Sequence, residues 1–152
     1  MSKICKTCHR DPSSHSFSKL CENDGVSIFY TNPGEASKYD DRVGIIAHMD
    51  NMLTNHVRDR WAWIFDGSGF QHYHLMELQL TRDIITLLTS KHNSTLSYIH
   101  IKNANGAIRQ LFRLIVPIMG ESTLLEKVRF DWEIIIIYYG YATCTCRSIL
   151  FI

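Results

Sequence analysis

Cysteine and histidine carry the widest chemistry in this chain, and several of them gather at its start. Cys5, Cys8, His9, His15 and Cys21 fall within the first 21 residues, and a second pair, Cys144 and Cys146, lies near the end. The run Cys5-Lys6-Thr7-Cys8-His9 matches the C-x-x-C-H pattern through which haem is attached covalently. That chemistry needs an oxidising compartment, an export signal and a distal ligand. The opening MSKICKTCHRDPSSHS has no apolar core of a secretory leader. Haem attachment is therefore set aside, and a reducing, cytoplasmic setting with free thiols is expected. Cys5, Cys8, His15 and Cys21 are also four ligands of the types that zinc takes. Their spacing after the first pair is irregular, and the preferred reading is an exposed arm of reduced thiols. Neither a metal nor a cofactor is assigned.

Chemistry elsewhere is sparse. Asp66-Gly67-Ser68-Gly69 sits where a phosphate loop would, after a β-prone run and before a helical one. It is neither of the glycine-rich phosphate patterns, and a tight turn, with Asp accepting backbone N–H groups, accounts for it. Ser68 lacks the G-x-S-x-G frame of a nucleophile elbow. His72 and His74 form an H-x-H pair without a third ligand near in sequence. His92 and His100 are isolated and read as structural histidines. Trp61, Trp63 and Phe65 read as core rather than as a platform for bases. No acid–base pair or nucleophile triad emerges, so no catalytic residue and no enzymatic activity are assigned.

The elements that must position these residues follow from pattern. The chain has 152 residues, 45% hydrophobic and 20% charged, which predicts one globular domain able to bury a core. A net charge of +1 argues against a nucleic-acid partner. Residues 1–25 read as a polar N-terminal arm, 26–139 as a single domain and 140–152 as an apolar tail. Within the domain, strands are expected at Val26–Tyr30, Trp61–Phe65, Leu96–Ile101, Lys127–Phe130 and Ile134–Tyr139. Helices are expected over 40–55, over His74–Lys91 and over Ala107–Met119, with Pro117 ending or kinking the last. Strands alternating with helices imply crossover connections. The fold class is thus α/β, a mixed, mostly parallel sheet with helices on its faces. The greasy stretch from Ile134 to Cys146 is too short to span a bilayer.

Taken in order, these segments resemble a known family. They are Trp61-Ala62-Trp63-Ile64-Phe65-Asp66-Gly67-Ser68-Gly69-Phe70, a long helix, Leu96-Ser97-Tyr98-Ile99-His100-Ile101-Lys102-Asn103, Ile108 to Met119, and Lys127-Val128-Arg129-Phe130. Together they resemble the CRAL-TRIO lipid-binding domain, the fold of the yeast-type phosphatidylinositol-transfer proteins. The resemblance covers about residues 26–130. The turn at 103–106 lacks the family's proline, and the sequence after Phe130 departs from the family pattern, as if truncated or altered.

The resemblance implies a sheet that floors a hydrophobic pocket, covered by a mobile gate helix, here Ala107–Met119. Asn103 would hold the turn between strand and gate. Tyr98, Ile99 and Ile101 would line the pocket from the floor, and Ile108, Leu111, Phe112 and Ile115 from the gate. The implied function is binding of a small hydrophobic ligand or phospholipid, with transfer between membranes as its extension. Arg109 and Arg113, on the outer side of the gate, suit transient contact with an anionic membrane surface, in a cytoplasmic protein peripheral to membranes. The alternative is a non-catalytic protein-interaction or scaffold domain that keeps the fold without a working pocket.

Overall fold

Successive side chains of a strand point to opposite faces, and in this chain that alternation sorts two apolar sets. The computed structural model describes residues 5–120 and 123–131. Five strands, β1 (Ser18–Asn23), β2 (Val26–Thr31), β3 (Arg60–Asp66), β4 (Leu96–Lys102) and β5 (Val128–Phe130), form one sheet in chain order. β1 is antiparallel to β2, and the remaining neighbours are parallel. The β1–β2 hairpin turns at Asp24 and Gly25, both at positive φ (49° and 77°). Two such residues make the turn whose twist matches a hairpin, and Gly25 adopts its conformation without a Cβ penalty.

The parallel strands are linked by α2 (Arg42–His56), by α3 (His72–Met76) with α4 (Leu78–Leu87), and by α5 (Gly106–Met119) with α6 (Thr123–Glu126). A shorter helix, α1 (Lys6–Arg10), precedes β1. Right-handed crossovers between strands that follow in order lay every connecting helix on the same face. That face carries Phe29, Trp61, Trp63, Leu96, Ile99 and Ile101, packed against Met49 and Leu53 of α2, Leu80 of α4 and the inner stripe of α5. The opposite face carries Val26, Ile28, Ala62 and Ile64, with Cys21, Tyr30 and Tyr98 packed against them. A register shift between Trp61 and Ala62 lets Leu96 and Ile99, three residues apart, both face the helices.

Three sequence expectations are amended. Residues 18–23, read as part of a polar arm, form the edge strand of the sheet, and Phe17 is buried in the core. An edge strand that alternates exposed and half-buried residues needs only backbone pairing, so it carries no apolar signature. The single helix expected over His74–Lys91 is divided at Glu77 (φ −83°, ψ 45°) and ends in a π turn, Leu88–His92. His74 is fully buried, with Nε2–H donating to the Pro33 carbonyl at 3.1 Å and Nδ1 accepting from the Gln71 N–H at 2.8 Å. Those contacts aim α3, and the chain re-aims at Glu77 to lay α4 along the sheet. Pro117 lies inside α5, which ends two residues later before Gly120 (φ 55°). The expected strand Ile134–Tyr139 and the tail 140–152 lie outside the described residues. Among the described residues no helix is long and apolar enough to cross a membrane.

Candidate functional site

α5 repeats apolar residues at helical spacing, Ile108, Leu111, Phe112, Ile115 and Met119, which builds one continuous stripe. That stripe faces Ile99 and Ile101 of β4 across a void of about 90 Å³. Trp63, Phe65, Phe70, Leu88 and Val128 complete much of its wall, and Tyr39 and Thr81 are its polar-tipped members. Six of the seven residues named from sequence therefore converge: Ile99, Ile101, Ile108, Leu111, Phe112 and Ile115. Tyr98 does not. Strand alternation turns it to the opposite face, against the Val26, Ile28, Ala62 and Ile64 cluster, so Tyr98 and Ile99 cannot line one pocket. A second void of about 30 Å³ shares Tyr39, Trp63, Phe65 and Ile84 with the first and reaches His15 and Phe17. Trp63 and Phe65 were legible only as core; their alternation with Ala62 and Ile64 was the signal that they face α5.

The entry to α5 is held by a polar knot. Asn103 sits at φ 51° and donates from Nδ2 to Asp66 Oδ1 at 3.0 Å. Its backbone N–H donates to Asp131 Oδ2 at 2.9 Å, while His100 Nε2 lies 2.8 Å from Asp131 Oδ1. Asn105, by sequence a residue of the turn at 103–106, does three jobs. Its Oδ1 caps the helix by accepting from Ile108 N–H at 3.0 Å, and its Nδ2 donates to the carbonyls of Gly67 at 3.1 Å and Phe70 at 2.7 Å. An Asn three residues before the first apolar residue of the helix was the available signal. Asp66 also accepts from Ser68 N–H at 3.0 Å and Tyr30 O–H at 3.1 Å. Burial alone would raise the Asp66 pKa, but the hydrogen bonds from Asn103, Ser68 and Tyr30 outweigh it and hold the carboxyl below its ordinary value. Burial, then the Asp66 charge, pushes Tyr30 up to about 12. The tight turn read at 66–69 is thus the socket into which the α5 entry fits.

The outer side of α5 exposes Arg109 and Arg113, as expected, and beside them Leu114, Val116 and Ile118, each at least 40% exposed. The H-x-H pair does not converge, because His72 is exposed while His74 is buried. His92 Nε2 pairs with Asp50 at 2.8 Å.

At the N-terminal segment, Cys5 Sγ and Cys8 Sγ lie 3.6 and 3.4 Å from His15 Nδ1. Burial pushes the Cys8 thiol up to about 11. Cys21, grouped with them from sequence, stands on β1 and packs on the other face of the sheet. The fourth residue at this point is His48 of α2.

No protein-family model and no curated protein matches this sequence. Among solved structures the chain is similar to the crystal structure of Sfh5, with a TM-score of 0.61 and 9% identity. The match covers 84% of this chain and 51% of Sfh5, so the chain spans about half the length of that structure. With its five-stranded, mostly parallel mixed sheet and crossover helices, the chain has an α/β fold similar to that of Sfh5.

Proposed function

We propose that this chain binds a small hydrophobic ligand or phospholipid between the sheet and α5, with α5 as the gate and transfer between membranes as the associated activity. The reading rests on the apolar void under α5, bounded by Ile99 and Ile101 below and by Ile108, Leu111, Phe112 and Ile115 above. Acyl chains need continuous apolar walls and few polar groups. At about 90 Å³ the void is smaller than the roughly 300–1,000 Å³ usual for ligand pockets, so α5 here is a closed lid and loading requires its displacement. One feature supports such motion. The wall of Tyr39, Trp63, Phe65 and Ile84 divides two voids, and rotation of these side chains would join them. Arg109 and Arg113 beside exposed Leu114, Val116 and Ile118 make a surface suited to an anionic membrane.

The test is extraction of a fluorescent phospholipid from liposomes, with native mass spectrometry of the purified chain. Extraction or retained lipid, abolished by Leu111→Trp filling the void, is the expected result. A wild-type chain that neither extracts nor retains lipid overturns the reading. The small volume of the void favours a second reading, a non-catalytic interaction domain that keeps the fold; in that case Leu111→Trp costs stability and nothing else.

A further inference from the structure

α1 has five residues, none of them buried, and no side-chain cap. A helix that short is not stable alone in water. Its one distinctive feature is chemical. Cys5, at the cap, and Cys8, three residues on, lie on one side of a single turn and direct their sulfurs at His15. His48, from α2, places a second imidazole with its ring centroid 5.3 Å from that of His15. The ligand atoms offered by Cys5, Cys8, His15 and His48 all lie within 4.8 Å of one another.

The hydrogen bonds fix which nitrogens are available. His15 Nε2 lies 2.8 Å from Asp41 Oδ2, so that nitrogen carries the proton and Nδ1 turns a lone pair towards the sulfurs. His48 Nε2–H donates to the Phe17 carbonyl at 2.7 Å. His48 Nδ1 is buried and has no hydrogen-bond partner among the described residues, in a residue only 9% exposed. A buried nitrogen without a partner is costly unless something accepts its lone pair.

We propose that Cys5, Cys8, His15 and His48 form a closed structural zinc site. Two thiolates and two neutral imidazoles are a set that zinc takes, and two thiolates cancel its charge, so the filled, partly buried cluster is neutral. Bonds of about 2.3 Å to sulfur and 2.0 Å to nitrogen give tetrahedral edges of roughly 3.3–3.8 Å. The Cys–His separations of 3.4 and 3.6 Å already fall there. Asp41 behind His15 and the Phe17 carbonyl behind His48 supply the outer hydrogen bonds that orient ligating imidazoles. The ion ties α1 to α2 and fixes Phe17, which stacks on Phe29 at 5.0 Å and lines the second void. The site thereby borders the second void through His15, and it stands independently of whether lipid binds.

The full chain, expressed with zinc and passed through gel filtration, is expected to hold about one zinc per chain by elemental analysis. Cobalt exchanged into it is expected to show the visible bands of a tetrahedral ion and a thiolate-to-cobalt charge-transfer band. Cys8→Ser and His48→Ala lose the metal, whereas Cys21→Ser keeps it. Asp41→Asn, which retains a capping side chain, lowers zinc affinity about 10–100-fold. If the ligand variants do not fold, chelator-stripped wild-type chain decides the matter: zinc is expected to raise its Tm and cobalt to restore the bands. A wild-type chain that stays metal-free after zinc supplementation overturns the site. So does retention of zinc by both Cys8→Ser and His48→Ala, or its loss in Cys21→Ser alone.

Discussion

Asp66 receives hydrogen bonds from three directions, from Asn103 Nδ2, the Ser68 N–H and the Tyr30 hydroxyl. Its folded-state pKa is depressed. A depressed carboxylate contributes stability that is full above its unfolded value of about 3.9 and is lost as pH falls through the folded value. Urea unfolding is therefore expected to show stability falling below about pH 4, with a shallower acid slope in Asp66→Asn. At pH 7, Asp66→Ala leaves several donors without an acceptor and is expected to cost about 1–3 kcal/mol. Gly67 next to it has no room for a side chain. A Cβ there would meet Ile108 Cγ1 at 3.0 Å and the carbonyls of Asn103 and Lys102 at 3.1 Å. Gly67→Ala is expected to cost about 1–3 kcal/mol, because two of the three neighbours are backbone and cannot rotate away. Sequence showed this tetrapeptide as a tight turn. It did not show that the turn is the socket of α5, because the partners lie 37 and 38 residues further along the chain.

Among the elements, α5 was the most legible and α1 the least. The apolar stripe of α5 is intrinsic to its sequence at a period near 3.6, so its inner face was readable before its partner was known. Its anchorage was not. Asn105→Ala removes the cap and both donors to the 67–70 turn, and is expected to destabilise the chain by about 1 kcal/mol or more. Hydrogen exchange should localise the effect, with amides of the first turn of α5 exchanging faster and those of β3 unchanged. If α5 meets membranes as proposed, the double substitution Arg109→Glu and Arg113→Glu should weaken sedimentation with anionic vesicles and leave Tm nearly unaltered, since both side chains are exposed. Loss of binding only together with loss of fold would argue against that face. The division of the α3–α4 segment had no signal in the sequence, because Glu77 is a good helix former. The break comes from His74 being held by Pro33, 41 residues away.

Across the whole molecule, the N-terminal segment is part of the domain rather than an appendage. β1 covers the edge of β2, and Phe17 packs on Phe29 and, edge-on at 5.9 Å, on Trp63. Phe17→Ala is expected to cost about 3–5 kcal/mol. A chain begun at residue 26, the boundary drawn from polarity, would bare the edge of β2 and is expected to aggregate on purification, as light scattering would report.

The sequence by itself determined the alternation of strands and crossover helices, the inner stripe of α5 and the β-prone run at 61–65. Each of these is a local periodicity, written in residues a few positions apart. The tertiary structure alone decided that Tyr98 faces away, that Asn105 as well as Asn103 holds the start of α5, and that His48 replaces Cys21 beside Cys5, Cys8 and His15. Those outcomes depend on strand register and on side chains that meet across 26 to 42 residues of chain, as in His15–Asp41 and His92–Asp50. No local pattern encodes such meetings, because they exist only once the sheet has set which faces and which ends come together.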